Sequence, residues 1–172
     1  INGSILALDY NDGTILWEYR AEDAIESTLA IEEGRIFFTD TREILYALDA
    51  ETGKLLWRFQ RPTPEFFTIK GAGTPVVDGD AVYCGFADGT LVAVQIDTGE
   101  IIWTSDLTNE QVEFTDIDMP VIIGERTLYV GSYSGGVFGI SRLDGTIQWR
   151  VDVASVAQVK RYDGMLYVAS AQ

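Results

Sequence analysis

Few residues of this chain carry side chains suited to acid–base or nucleophilic chemistry. The 172 residues contain no histidine and a single cysteine, Cys84. Without histidine, the chain lacks the commonest general base and the commonest activator of a nucleophile. Cys84 stands between Tyr83 and Gly85 in a strand-like run, where a thiol is more often a small buried group than a nucleophile. We therefore predict that the chain is not an enzyme and holds no cofactor.

Two groups of carboxylates stand out by their spacing. Asp9, Asn11 and Asp12 precede Gly13 in a pattern similar to the start of a calcium loop, but the third alternating ligand and the distal glutamate are missing. A turn is the better interpretation of that segment. Asp116 and Asp118 precede an apolar run, so they could cap a turn or make a charged contact with a partner. We predict no metal site in this chain.

A third group combines apolar and cationic side chains. Phe67 and Ile69 alternate just before Lys70, in a segment that follows two prolines. The apolar pair could belong to an ordinary core. If it is exposed, it forms with Lys70 and the two carboxylates of Asp116 and Asp118 an amphipathic patch suited to protein contact.

Composition narrows the classes of partner. Twelve basic and twenty-seven acidic residues give a net charge of −15, which repels nucleic acid and anionic membrane surfaces. No run approaches the roughly 20 apolar residues of a membrane span, and the first residues, 1–4, are neither a signal peptide nor a lipid-attachment site. We expect the chain to be a mature or excised piece of a protein.

The structural elements that must position these side chains are built from a repeated sequence pattern. Each of the four tryptophans follows a glycine by four residues, and successive tryptophans are 40, 46 and 46 residues apart. The pairs are Gly13 with Trp17, Gly53 with Trp57, Gly99 with Trp103, and Gly145 with Trp149. This period is typical of propeller blades. We predict that each tryptophan packs against the neighbouring blade and that the glycine leaves room for it.

The period predicts an all-β fold, a β-propeller of four-stranded antiparallel blades with about four blade equivalents. The expected division is a half blade at 1–20, blades at 21–60, 61–106 and 107–152, and a half blade at 153–172. In each complete unit we predict four strands, of which the first are Ile25 to Ile31, Gly73 to Val77 and Met119 to Ile123.

The stretch from Ala47 to Trp57, Ala-Leu-Asp-Ala-Glu-Thr-Gly-Lys-Leu-Leu-Trp, resembles the pyrroloquinoline-quinone-type (PQQ-like) propeller repeat. Within that class the chain is most similar to the BamB type, through Phe67 to Gly71 and Thr115 to Pro120. The resemblance implies a ring of seven or eight blades and a non-enzymatic, periplasmic scaffold, held at the outer membrane by a lipid anchor outside this sequence.

The same resemblance implies a set of partner-binding residues. In the BamB type, the two segments contact the barrel-forming subunit BamA, which implies this role for Phe67, Ile69, Lys70, Asp116 and Asp118. Lys70 stands where the family pattern carries arginine, so a bidentate carboxylate contact is replaced by a simple charge contact.

Two other functions share this repeat. A quinone-dependent dehydrogenase is disfavoured because such enzymes are similar in fold but place adjacent cysteines over the quinone and supply a calcium ion. A ligand-sensing or adhesion propeller, as in a receptor kinase, stays open and should show a small-molecule pocket near the axis. The two terminal half blades leave unpaired edges, which predicts either further blades in a parent chain, a dimer or a closed four-bladed ring.

Overall fold

The computed structural model describes residues 3–61, 73–108, 116–117 and 119–171. Those residues form sixteen β-strands and no helix. The strands are β1 (Ser4–Leu8), β2 (Ile15–Arg20), β3 (Ala30–Glu32), β4 (Arg35–Thr39), β5 (Leu45–Asp49), β6 (Leu55–Phe59), β7 (Val76–Asp78), β8 (Ala81–Gly85), β9 (Thr90–Gln95), β10 (Ile101–Asp106), β11 (Ile122–Ile123), β12 (Thr127–Ser132), β13 (Gly136–Ser141), β14 (Ile147–Val151), β15 (Val156–Tyr162) and β16 (Met165–Ser170). No helix able to cross a membrane occurs in this described part of the chain.

The strands pair in chain order within five separate sheets. Strands β3–β6, β7–β10 and β11–β14 form three four-stranded antiparallel sheets, and β1–β2 and β15–β16 form two-stranded sheets. The first strands of successive sheets lie against each other, β3 beside β7 and β11 beside β15, which places them nearest the axis of a radial array. The predicted all-β propeller is confirmed, and we call β3, β7, β11 and β15 the inner strands.

Hydrophobic packing joins each blade to the next. Phe37 on β4 and Leu45 on β5 lie in one buried cluster with Val92 and Val94 on β9. Leu91 on the opposite face of β9 instead joins a cluster with residues of the following sheet. Because side chains alternate across a strand, each middle strand contributes to two cores. The sheets are therefore held together mainly by apolar surface buried between them.

A bulge marks the hairpin between the third and fourth strands of each blade. In the β5–β6 pair, Ala47 faces Trp57, and the register shifts before Leu48 meets Leu55. The turn between these strands places Gly53 at a φ of 69°, a region that glycine adopts without steric cost. The same bulge occurs in β9–β10 and β13–β14.

Each interior tryptophan docks on the turn of the next blade. The ring of Trp57 lies so close to Gly99 that a β-carbon added there would stand 2.7 Å from the ring. The Trp57 indole also donates a hydrogen bond to the carbonyl of Ile96, at 2.9 Å. Trp17 makes the equivalent contacts with Gly53 and the Ala50 carbonyl, and Trp103 makes them with Gly145 and the Arg142 carbonyl.

The two ends of the repeat array lack this contact. Trp149 is 37% exposed, whereas Trp57 and Trp103 are each 8% exposed. No indole hydrogen bond from Trp149 occurs within the residues that the structure describes, although its ring packs on Tyr129 and against Gly139 of its own sheet. At the other end, a β-carbon on Gly13 would meet nothing within 4 Å.

The inner strands of the complete blades are shorter than predicted. Strand β3 begins at Ala30 instead of Ile25, which retains only an isolated bridge to Asp40. Between them the Ser27 hydroxyl donates to the carbonyl of Thr39 and accepts from its amide, at 3.1 and 2.9 Å, and so replaces ladder bonds. Pro75 and Pro120 precede β7 and β11, and proline has no amide hydrogen for a ladder.

Candidate partner-binding face

Most of the residues predicted to bind a partner lie outside the described residues. This applies to Phe67, Ile69, Lys70 and Asp118. Asp116 is described and half-buried. The structure does describe the residues immediately before and after the ranges 62–72 and 109–115.

The described residues that flank these ranges contact the β8–β9 turn, residues Gly85 to Gly89. Before the second segment, the amide of Leu107 donates to the carbonyl of Gly89, at 2.9 Å. After the first segment, the amide of Gly73 donates to the carbonyl of Gly85, also at 2.9 Å. After the second, the amide of Ile117 donates to the carbonyl of Phe86, at 3.2 Å. The described residues that flank 62–72 and 109–115 therefore contact one common support, the β8–β9 turn.

Ile117 is the firmest of these anchors. Its side chain is fully buried, and a β-carbon on Gly85 would lie 2.2 Å from Ile117 Cγ2. Only glycine at that position leaves space for the isoleucine. Because Ile117 points into the core between Asp116 and Asp118, the chain is fixed in the middle of the acidic motif. Sequence reasoning missed this role, and the available signal was an apolar residue enclosed by two carboxylates.

A buried charged cluster holds the start of the first segment. Arg61 Nη2 lies 2.8 Å from Asp88 Oδ2 and 3.8 Å from Glu43 Oε2, and its guanidinium stacks 4.3 Å from the centre of the Phe86 ring. Side-chain exposures of 13% for Arg61, 19% for Asp88 and 8% for Glu43 show that the cluster is largely desolvated. It links the β4–β5 turn, which carries Glu43, to the β8–β9 turn of the next blade.

Glu43 is the most constrained member of this cluster. Its Oε1 accepts a hydrogen bond from the amide of Ala87, at 3.1 Å. Burial raises the pKa of Glu43, and the Ala87 hydrogen bond and the charge of Arg61 oppose that rise. Arg61 and Glu43 were not singled out from the sequence because they lie far apart along the chain and meet only across a blade interface.

Cys84 lies on β8, directly before the β8–β9 turn, and its thiol is not positioned to react. It is fully buried, and its Sγ lies 3.6 Å from the carbonyl oxygen of Gly73, to which the thiol can donate. Burial raises the pKa of the Cys84 thiol far above its ordinary value. The reactive thiolate form is therefore suppressed, and the side chain acts as a small buried group.

The Asp9–Gly13 segment is a capped turn. Asp9 Oδ1 accepts hydrogen bonds from the amide and the side-chain nitrogen of Asn11, at 2.8 and 3.0 Å. Asp12 accepts from the amide of Thr14, at 2.9 Å, and this bond lowers the pKa of Asp12. Among the described residues no group of three or more potential metal-ligating side chains is placed to hold an ion.

Comparison with known proteins shows two kinds of relative. Outer membrane protein assembly factor BamB of Shewanella oneidensis is 27% identical over 154 residues, which are 86% of this chain and 38% of that protein. Quinoprotein ethanol dehydrogenase of Pseudomonas putida is 27% identical over 139 residues, 74% of this chain and 22% of that protein. The chain thus spans less than half the length of each.

The solved structures support the same fold. The crystal structure of BamB from Moraxella catarrhalis superposes with a TM-score of 0.72 at 23% identity, covering 92% of this chain and 47% of that one. The family model described as outer membrane protein assembly factor BamB matches residues 1–172. The chain therefore belongs to the BamB family of PQQ-like propellers.

Proposed function

We propose that this chain is part of a non-enzymatic scaffold of the BamB type, which assists outer-membrane protein assembly by binding a BamA-type periplasmic domain. The observation that carries the proposal is the family match along residues 1–172. The arrangement around the β8–β9 turn supports it, because the described residues that flank 62–72 and 109–115 all contact that turn. The proposed contact residues are Phe67, Ile69, Lys70, Asp116 and Asp118.

The anchoring of flanking residues on the β8–β9 turn explains how the proposed contact residues could bind a partner at a small cost in conformational entropy. Ile117 is buried between the two aspartates, and Arg61 and Gly73 are bonded on either side of the first segment. Anchored ends reduce the conformational entropy that a segment loses when it binds. Carboxylates from one segment and a lysine with apolar side chains from the other would recognise a partner surface of mixed charge.

We also propose a location and a non-enzymatic role. A BamB-type function places the protein in the periplasm, associated with the outer membrane through a lipid anchor outside this sequence. The dehydrogenase alternative lacks support from the residues, because the chain has no histidine and its single cysteine is buried with a raised pKa. The sensor alternative would require a ligand site near the axis.

Self-association through the terminal half blades is the alternative to further blades in a parent chain, and in a dimer it would cover Trp149 and Gly13. Strands β1–β2 and β15–β16 form separate two-stranded sheets, and together they match the four strands of a blade. The exposed ring of Trp149 and the open space over Gly13 are complementary in the same way as the interior pairs. A dimer in which each copy completes the other's half blades stays a prediction.

A binding measurement tests the scaffold function. We expect the double variant Asp116→Ala with Asp118→Ala to weaken binding to a BamA-type periplasmic domain, by about 2–5 kcal/mol if a desolvated pair is broken and by less at a solvent-exposed rim. The control is Glu51→Ala with Glu125→Ala, which removes two exposed carboxylates from turns at the opposite end of the sheets.

The melting temperature decides how to interpret a loss. The proposal requires that affinity falls while the melting temperature of the double aspartate variant changes little. Unchanged affinity with a much lower melting temperature would show that the aspartates are structural caps, and the proposed contact would be wrong.

A further inference from the structure

One inner strand differs from the others in length and charge. Strand β15 has seven residues, whereas β3, β7 and β11 have three, three and two. It also carries the consecutive cations Lys160 and Arg161, and the other three inner strands contain no lysine or arginine. In a chain with a net charge of −15, this is a local reversal of sign.

A groove runs along this strand on the side of the axis. It has a volume of about 560 Å³ and is bounded by β15, β11, the residues before β11 and Val76 of β7. Val121 and Val159 are buried in its floor, and Met119 and Ile122 are half-buried. Lys160 and Arg161 line the groove and are exposed.

The groove offers unpaired groups of two kinds. Strand β15 pairs only with β16 in the described part of the chain, so its other edge presents free backbone donors and acceptors. Neither Lys160 nor Arg161 forms an ion pair with any described residue. A free edge beside apolar side chains is the surface to which an extended peptide adds as a further strand.

We propose that this groove binds an extended peptide segment that pairs with the free edge of β15 and carries consecutive acidic residues followed by apolar ones. Because neighbouring residues in a strand project to opposite faces, Lys160 and Arg161 place one cation on each face of an added strand. Two consecutive carboxylates on the peptide would meet one cation each. The following apolar side chains would cover Met119 and Val121.

Edge protection is the competing explanation for the two cations. Lysine on an exposed edge often prevents pairing with other chains. In that case, removal of the charges would cause self-association, and the wild-type groove would bind no peptide. The two explanations therefore give opposite results in one titration.

The test uses a fluorescein-labelled octapeptide with two consecutive glutamates followed by alternating valine and threonine. We expect saturable binding to the wild-type chain and a loss of about tenfold or more in affinity for Lys160→Glu with Arg161→Glu. The matched control is Lys54→Glu with Arg126→Glu, which makes the same charge change at two exposed cations away from the groove. It should alter affinity by less than about twofold.

A second peptide tests the backbone pairing and does not depend on any protein variant. Methylation of alternate peptide nitrogens removes the donors of one edge, and it should also weaken binding to the wild-type chain about tenfold or more. Equal affinity of both peptides would overturn strand addition. Equal losses in the two charge variants, or no saturable binding to the wild-type chain, would overturn the proposal. Self-association of Lys160→Ala with Arg161→Ala would then favour edge protection.

Discussion

The interior blade interfaces and the two outward faces of the array use the same residues with different surroundings. Between blades, a tryptophan ring fills the space over a turn glycine and its indole bonds a carbonyl of that turn, as Trp57 does with Gly99 and Ile96. At the ends, Trp149 is partly exposed and Gly13 has open space above it. The repeat therefore supplies a docking surface whether or not its partner is present, and the contribution of each tryptophan to stability depends on its neighbour.

The largest difference should appear when the tryptophan is removed. We expect Trp57→Ala to lower the free energy of unfolding by about 3–5 kcal/mol, because it deletes a buried ring and leaves a cavity. Trp149→Ala should cost clearly less, since its ring is already 37% exposed and makes no indole hydrogen bond within the described residues. Chemical denaturation of both variants measures the difference, and equal losses would show that the Trp149 face is covered.

A smaller and cleaner contrast comes from the turn glycines. Gly99 and Gly13 have φ values of 71° and 74°, so alanine at either position carries the same backbone strain. We expect Gly13→Ala to cost about 1–2 kcal/mol, and Gly99→Ala to cost about 1–3 kcal/mol more because its methyl group would collide with the Trp57 ring. Similar midpoints in urea for the two variants would contradict the docking account.

The smallest effect concerns the acid dependence of the turns. The pKa of Asp49 is lowered by hydrogen bonds from the side chain and the amide of Thr52, and the pKa of Asp12 is lowered mainly by the amide of Thr14. A lowered pKa gives stability that is present above the unfolded-state pKa and is lost as pH falls.

Asp49→Asn and Asp12→Asn should each therefore flatten the decline of stability below about pH 4. Asp49 lies beside a docked turn and Asp12 beside an open one, and each carboxylate accepts a hydrogen bond from the amide of a turn threonine. We accordingly expect a similar flattening in the two variants. A change in only one of them, measured by thermal unfolding from pH 7 to pH 3, would show that docking alters the turn carboxylate.

The fold could be predicted because the sequence pattern that specifies it is local and recurs in each repeat. Glycine four residues before each tryptophan defines a hairpin turn and a ring position, and the spacing then fixes the blade. The inner strands were predicted less well, because Ser27 replaces ladder bonds through a contact with Thr39, and sequence patterns of alternation do not reveal such a substitution.

The contacts on the β8–β9 turn that anchor the proposed binding region were not predictable in the same way. Arg61 meets Asp88 across 27 positions, and Glu43 meets Ala87 across 44 positions. These pairs form only after two blades pack, and each residue taken singly is typical of a solvated turn. The acidic motif drew attention to Asp116 and Asp118, whereas the structure shows that Ile117 between them is the buried anchor.

Hydrogen exchange of the four indole N–H groups tests the docking account most directly. In a spectrum of the 172-residue chain, we expect slow exchange for Trp17, Trp57 and Trp103, whose indoles bond carbonyls of the next blade. Trp149 should exchange fastest because its ring is partly exposed. Protection of Trp149 equal to that of Trp57 would contradict the account, because it would require a partner on the face that the structure leaves open.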